Sequence, residues 1–168
     1  MAVIAVADDD YQMWLRCARC LNPAVSSLGV TTPGARPFSV PEGLPPEEDG
    51  IWEEVRGCLS VGAYTAAVTM CRKLLLHLAV ANKLSPKNAK GHAPSFLECV
   101  NHLESEGVIT KKMRPWVERI KDVGNDANHE LQPISEQQAM DVAGFTFQLL
   151  KLSYEMDTLV NQTPDAEG

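Results

Sequence analysis

The sequence predicts an all-α domain of about five helices that follows a short N-terminal extension, which is irregular or β-stranded. From residue 51 onward apolar residues recur at intervals of three and four, a spacing that places them on one side of a helix. Before that point prolines are frequent and the first residues alternate in polarity. The predicted units are a small segment at 1–22, a Pro/Gly-rich linker at 23–50, a helical domain at 51–162 and a frayed tail at 163–168.

Apolar periodicity and capping residues divide the helical domain into its elements. Ser95 and Ser135 are favourable N-caps for the third and fifth helices, because a serine oxygen can accept a hydrogen bond from a free N–H at a helix start. Pro115 suits the first turn of the fourth helix. The predicted helices span 51–59, 64–82, 96–106, 115–123 and 136–160.

Composition excludes several classes of protein. Of the 168 residues, 45% are hydrophobic and 22% are charged, and the formal net charge is −7. This acidic balance disfavours a protein that coats nucleic acid through bulk charge. No apolar run approaches the ~20 residues that cross a bilayer, and the start lacks the positive region of a secretory signal, so we expect a cytoplasmic protein without membrane contact. Phosphate-binding glycine loops are absent, so no nucleotide cofactor is expected.

A C-x-x-C pair near the N-terminus has a spacing typical of metal binding. Cys17 and Cys20 look like half of a zinc knuckle, but structural zinc takes four ligands and no second pair occurs. Four interpretations stay open: a relic knuckle, a chance or structural pair, a redox dithiol, or a zinc site completed by a second subunit or by His92 or His102. Zinc is therefore a conditional cofactor and none is required. The cysteines at apolar helical positions are expected to be buried: Cys58, Cys71 and Cys99.

A local excess of basic residues precedes a histidine-containing block. Four of these residues are candidates for binding nucleic-acid phosphates, although a solvated helix face is the simpler interpretation of such a run. These candidates are Lys111, Lys112, Arg114 and Arg119.

The block that follows, residues 119–129, contributes to a candidate polar site. The site comprises Arg72, Lys121, Asn125 and His129, expected where two helices meet. Imidazole titrates near neutrality, so His129 can serve as a general acid or base. Three other possibilities stay open: His129 binds Asn125 or caps helix carbonyls, His129 is simply exposed, or Arg72 is a structural ion-pair partner of a nearby acidic residue.

Two stretches of the helical domain resemble a known family. The sequence A-A-V-T-M-C-R-K-L-L at 66–75 and the sequence I-K-D-V-G-N-D-A-N-H at 120–129 are similar, in order and spacing, to the uncharacterised helical family named domain of unknown function 4145. The resemblance covers residues 51–160, and the N-terminal cysteine pair fits it, since relatives often carry a zinc-ribbon-like piece. That family is grouped with the HEPN superfamily, which implies an antiparallel helical bundle.

The resemblance also bears on activity. Active HEPN proteins are metal-independent ribonucleases that pair a histidine with an arginine four to six residues away. Positions 123–125 of this chain are Val, Gly and Asn, so the expected arginine before His129 is absent. Arg72 and His77 have a matching spacing, but they lie about 140° apart around a helix.

Two functions follow from these observations. The favoured hypothesis is a non-catalytic helical interaction module, forming a homodimer and binding a protein or RNA partner in a bacterial or phage defence, toxin or mobile-element setting. The alternative is a metal-independent RNA endonuclease with His129 as general acid or base and Lys121 or Arg72 as the phosphate contact.

Overall fold

Helices account for most of the described residues. The computed structural model describes residues 2–6, 12–18, 21–87, 91–129 and 133–155, with 2–6 and 124–129 described as backbone alone. The helices are α1 (Pro46–Ser60), α2 (Tyr64–Ala81), α3 (Phe96–Ser105), α4 (Arg114–His129) and α5 (Glu136–Leu150), and a π-helical turn at Lys151–Glu155 extends α5. The prediction of a mostly helical domain with five helices is confirmed.

Capping residues fix the starts of α3 and α5 as predicted. Ser95 accepts a hydrogen bond from the N–H of Glu98, whose carboxylate accepts one from the N–H of Ser95. Ser135 and Gln138 form the same reciprocal arrangement at α5. Such boxes satisfy N–H groups that have no partner within the helix.

Two helix boundaries differ from the prediction. The first helix begins at Pro46 rather than at residue 51, because a proline in the first turn and three acidic residues beside the positive end of the helix dipole favour an earlier start. The fourth helix continues past Gly124 to His129. A glycine costs a helix interior about 1 kcal/mol, and the burial of Ile120 and Val123 on α4 offsets this cost. The predicted end of the fifth helix and the tail at 163–168 lie outside the described residues.

An antiparallel sheet precedes the helices. Its strands are β1 (Ala2–Val6), β2 (Gln12–Arg16), β3 (Pro23–Ser27) and β4 (Val30–Thr32), paired in the order β1-β2-β3-β4. The prediction of an element-free linker from residue 23 is therefore wrong over 23–32. Leu28 and Gly29 both have positive φ angles, and this geometry closes a two-residue hairpin turn whose twist suits the flanking strands.

The part of the Pro/Gly-rich linker between β4 and α1, residues 33–45, is called the proline-rich segment and packs along α1. The N–H of Gly34 donates to the carbonyl of Ser60 at 2.6 Å, and a Cβ at Gly34 would lie only 3.2 Å from that oxygen. Further along, the indole N–H of Trp52 donates to the carbonyl of Ser39 at 2.8 Å. The Phe38 ring lies 6.1 Å from that of Trp52. The segment is thus bound to the helical domain by backbone hydrogen bonds and by the ring of Phe38.

The helical core is centred on α2, which contacts each of the other four helices. The large side chains that are fully buried include Trp52, Leu74, Leu75, Leu78, Leu103, Ile109, Ile120, Leu149 and Leu150. No helix in the described ranges is long and apolar enough to cross a membrane.

Truncation of Leu103 tests this core. We expect Leu103→Ala to lower the free energy of unfolding by about 2–5 kcal/mol, because the side chain is fully buried and leaves a cavity. Leu97→Ala on the same helix is the matched control and should change it by about 0.5 kcal/mol, since Leu97 is exposed. Urea unfolding of the three proteins measures both effects, and equal losses would contradict this description of α3.

Candidate functional site

Two members of the predicted polar site, Arg72 and Lys121, lie where α2 meets α4. A guanidinium N–H of Arg72 donates to the backbone carbonyl of Lys121 at 3.5 Å. The same guanidinium lies over the ring of Phe96, 5.3 Å from its centroid, in a cation–π contact. The structure therefore brings Arg72 and Lys121 together as expected, through the backbone of Lys121.

The other two members of the predicted site lie further along α4. Asn125 and His129 follow Lys121 at four-residue steps, and the helical backbone places these positions on one side of α4. The side chains of Asn125 and His129 lie outside the described residues. Their role as catalytic or structural groups stays a prediction.

Two of the four candidate nucleic-acid contacts make ion pairs within the chain. Arg114 contacts Glu104 at 2.5 Å and Glu118 at 3.1 Å. The hydrogen bond to Glu118 raises the pKa of its guanidinium most, and the hydrogen bond to Glu104 raises it further. Arg119 lies 3.8 Å from Asp141 of α5. Arg114 and Arg119 thus join α4 to α3 and α5.

The remaining basic candidates, Lys111 and Lys112, are exposed in the turn before α4. Their exposure leaves both ammonium groups in contact with solvent, as either a solvated face or a phosphate contact requires. Their binding of nucleic acid stays a prediction.

Cys17 follows β2 and is half-buried, whereas Cys20 lies outside the described residues. Backbone hydrogen bonds of 3.0 Å join Cys17 to Leu21 and to Asn22, so the chain turns tightly here. Among the described residues, no group of three or more His, Cys, Asp or Glu side chains is placed to hold a metal ion. Nε2 of His102, one suggested ligand, donates to the carbonyl of Asn82 at 2.6 Å. Zinc binding at this pair stays a hypothesis.

The thiols of α2 and α3 are buried side chains, as the sequence predicts for Cys71 and Cys99. Burial raises the pKa of Cys71 to about 12, and a hydrogen bond with Thr146 opposes that rise. Burial also raises the pKa of Cys99. Because the thiolate is the nucleophilic form, both thiols are poor nucleophiles at neutral pH. Cys58 is half-buried.

A buried carboxylate that the sequence did not single out joins three elements. Glu48 of α1 is 3% exposed, and its Oε1 lies 2.9 Å from Nδ1 of His77 on α2. The hydroxyl of Tyr154, in the π-helical turn, donates to the same oxygen at 3.2 Å. Burial, followed by the charge and the hydrogen bond of Glu48, raises the pKa of Tyr154.

Two members of this Glu48–His77–Tyr154 cluster, Glu48 and His77, border a cavity of about 340 Å³ that Lys73 and Leu74 also line. A carboxylate that holds Nδ1 fixes the orientation of an imidazole, an arrangement that both structural and acid–base histidines use. From the sequence, His77 was notable only for its spacing from Arg72. Its actual partner is distant in sequence and lies in a turn that was not predicted to be helical.

The fold defines a mostly helical domain with an N-terminal antiparallel sheet, and three of its described arginines, Arg72, Arg114 and Arg119, join one helix to another. Residues 53–166 match the family described as "Domain of unknown function (DUF4145)", so the chain belongs to that family, as its sequence motifs suggested. The matched region begins inside α1 and leaves the sheet and the proline-rich segment outside. No curated protein and no solved structure matches the chain.

The influence of Glu48 on Tyr154 can be measured by alkaline titration. We expect Glu48→Gln to lower the pKa of Tyr154, because the variant removes a negative charge beside the hydroxyl. Absorbance of the tyrosinate measures the shift. Glu47→Gln, at the exposed neighbouring position, is the control and should leave this titration unchanged.

The raised pKa of Tyr154 also makes the folding stability of the protein depend on pH. Since folding raises this pKa, the contribution of Tyr154 is fully present below about pH 10 and is lost as the pH rises through the folded-state value. A tyrosinate titration curve of Glu48→Gln that coincides with that of wild type would contradict the contact between Tyr154 and Glu48.

Proposed function

We propose that this chain is a non-catalytic helical interaction module, built on a HEPN-like antiparallel bundle, that forms a homodimer through the outer face of α4 and α5. The observation that carries the proposal is an exposed tryptophan on this face that stacks on a partly buried phenylalanine. Trp116 is 52% exposed, and its ring stacks on that of Phe145 with centroids 6.3 Å apart and planes 8° apart. Tryptophan is enriched among the residues that dominate binding energy at interfaces.

The surroundings of this pair suit an interface. Leu152, two helical turns beyond Phe145, is 49% exposed and adds apolar area. On the other side, Arg119 and Asp141 form a partly exposed ion pair. We call the surface formed by these five residues the α4/α5 face. Its aromatic and apolar residues, flanked by charged groups, resemble an interface centre with a polar rim.

A second copy of this chain is the occupant that the α4/α5 face fits. A two-fold dimer requires a self-complementary surface, because each protomer presents the same patch. Rotation about an axis near Trp116 would bring the apolar areas together, with Arg119 of one protomer towards Asp141 of its partner. Arg119 and Asp141, the two residues that would pair between protomers, both lie on the α4/α5 face.

The state of the basic residues also supports a non-catalytic role. Phosphate binding at Arg114 or Arg119 would compete with carboxylates that already neutralise these guanidinium groups. The arginine that a HEPN ribonuclease places before its histidine is absent from positions 123–125. A bacterial or phage defence, toxin or mobile-element setting, and a protein or RNA partner, form part of the same proposal.

Substitution of Trp116 tests the proposed dimer. We expect wild type to be dimeric and Trp116→Ala to weaken dimerisation by at least about tenfold, because truncation of a central aromatic residue typically costs more than 1–2 kcal/mol. Trp14→Ala is a matched control, since Trp14 on β2 is similarly exposed at 54%. Sedimentation equilibrium measures both dissociation constants.

A monomeric wild type would contradict the dimer, and equal weakening by the two substitutions would show that the α4/α5 face is not the interface. Circular dichroism establishes that each variant retains the helical content of wild type before the constants are compared.

The alternative function, a metal-independent RNA endonuclease, is favoured by one observation. Helix α4 runs unbroken through His129, and Arg72 is held against Lys121 on the same helix. The general acid or base, His129, and the two cations, Arg72 and Lys121, therefore come from adjoining parts of α2 and α4. In this alternative His129 accepts the proton of an RNA 2′-hydroxyl as that hydroxyl attacks the neighbouring phosphate. Lys121 or Arg72 contacts the phosphate.

Incubation with structured and single-stranded RNA, in the presence of a chelator, distinguishes the two functions. A non-catalytic module leaves the RNA intact, which is the result we expect for wild type and for His129→Ala alike. Fragments ending in a cyclic phosphate from wild type, but not from His129→Ala, would instead establish the endonuclease. His92→Ala, at an exposed position, is the matched control and should behave as wild type does.

A further inference from the structure

A cleft of about 670 Å³ lies between the N-terminal sheet, the proline-rich segment and α1. Residues from all three parts line it, among them Pro23, Pro33, Arg36 and Arg56. Its volume falls in the range of about 300–1,000 Å³ that is typical of small-molecule sites. The predicted polar site, the Glu48–His77–Tyr154 cluster and the α4/α5 face contribute no residue to its described lining.

Two guanidinium groups are fixed at the wall of this cleft by one carboxylate. Arg36 contacts Oε2 of Glu53 at 2.5 Å, and Arg56 contacts Oε1 of the same residue. Arg56 also donates from Nε to the carbonyl of Pro37 at 3.1 Å. Glu53 and Pro37 therefore orient both planar groups without help from a ligand.

The cleft carries an excess of positive charge. Its charged lining, among the described residues, consists of two arginines and one glutamate, so the formal balance is one positive charge. The side chain of Arg56 is only 16% exposed, which removes much of the water that would screen it. A poorly hydrated cation is stabilised by a further anion.

Both guanidinium groups also keep unused donors. Within the described part of the chain, Nη2 of Arg56 and both Nε and Nη2 of Arg36 make no hydrogen bond. A guanidinium has five N–H donors in a rigid fork, and this geometry matches the paired oxygens of a carboxylate or a phosphate.

We propose that this cleft binds a small molecule with an oxyanion head, a carboxylate or a phosphate, that accepts hydrogen bonds from Arg36 and Arg56. The body of the ligand is apolar or short, because Pro23, Pro33 and Val61 also line the cleft. Arg36 comes from the proline-rich segment and Arg56 from α1. Ligand binding therefore stabilises the attachment of that segment to the helical domain, and it does not depend on dimerisation through the α4/α5 face.

Calorimetric titration of the full chain distinguishes the forms of this ligand. The probes are benzoate, inorganic phosphate, and benzylamine as a cation of the same shape as benzoate. We expect saturable binding of at least one oxyanion and none of benzylamine. Benzoate binding alone assigns a carboxylate ligand with an apolar body, whereas phosphate binding alone assigns a phosphate ligand.

Variants place the binding in the cleft. Arg36→Gln should weaken oxyanion binding about tenfold, the effect of losing one charge-assisted hydrogen-bonding group. Arg56→Lys retains the charge but loses the fork, and should also weaken binding. Lys87→Gln removes the same charge at an exposed position outside the cleft and should leave the affinity unchanged.

Three results would overturn the proposal: no saturable binding of either oxyanion, equal binding of benzoate and benzylamine, or wild-type affinity in both arginine variants. Arg36 is the more exposed of the two arginines, so Arg36→Gln remains informative where a change at Arg56 disturbs folding. The helical content of each variant is compared with that of wild type beforehand.

Discussion

The burial of α2 is the constraint on which the rest of this structure depends. Four helices pack around it, and its apolar side chains, such as Leu74, Leu75 and Leu78, are almost completely removed from water. A helix buried on most sides leaves few positions for polar groups, and those few must meet partners on the surrounding helices. Arg72 meets α4 and His77 meets α1, so these two polar residues of α2 also fix neighbouring helices.

Charged side chains in this protein often join elements. Arg114 connects α3 to α4, Glu48 connects α1, α2 and the π-helical turn, and Glu53 connects α1 to the proline-rich segment. Such residues have two consequences for function. Groups already paired within the chain are less available to a ligand, whereas a carboxylate shared by two guanidinium groups leaves positive charge and spare donors. The first case describes α4, and the second describes the cleft beside α1.

The proposed dimer surface and the proposed oxyanion cleft rest on different physical terms. In the proposed dimer, burial of the exposed aromatic area around Trp116 is the driving force, and charged groups contribute mainly to orientation. In the cleft, attraction by Arg36 and Arg56 is local, because charges beyond about 8 Å are screened at physiological salt. A net charge of −7 therefore does not prevent an anion from binding there.

The sequence by itself determined the helices and the family. Apolar spacing and the caps at Ser95 and Ser135 act within a few residues, so they can be recognised without knowing the fold, and the family motifs lie within single helices. The early start of α1 rests on local features, a proline and three acidic residues in its first turn, that the apolar spacing alone does not include. Only the tertiary structure decided the hairpin at 23–32 and the partners of Glu48. Those partners are 29 and 106 residues away in the chain. Pairing at such distances depends on how the helices pack around α2, and local periodicity carries no record of that packing.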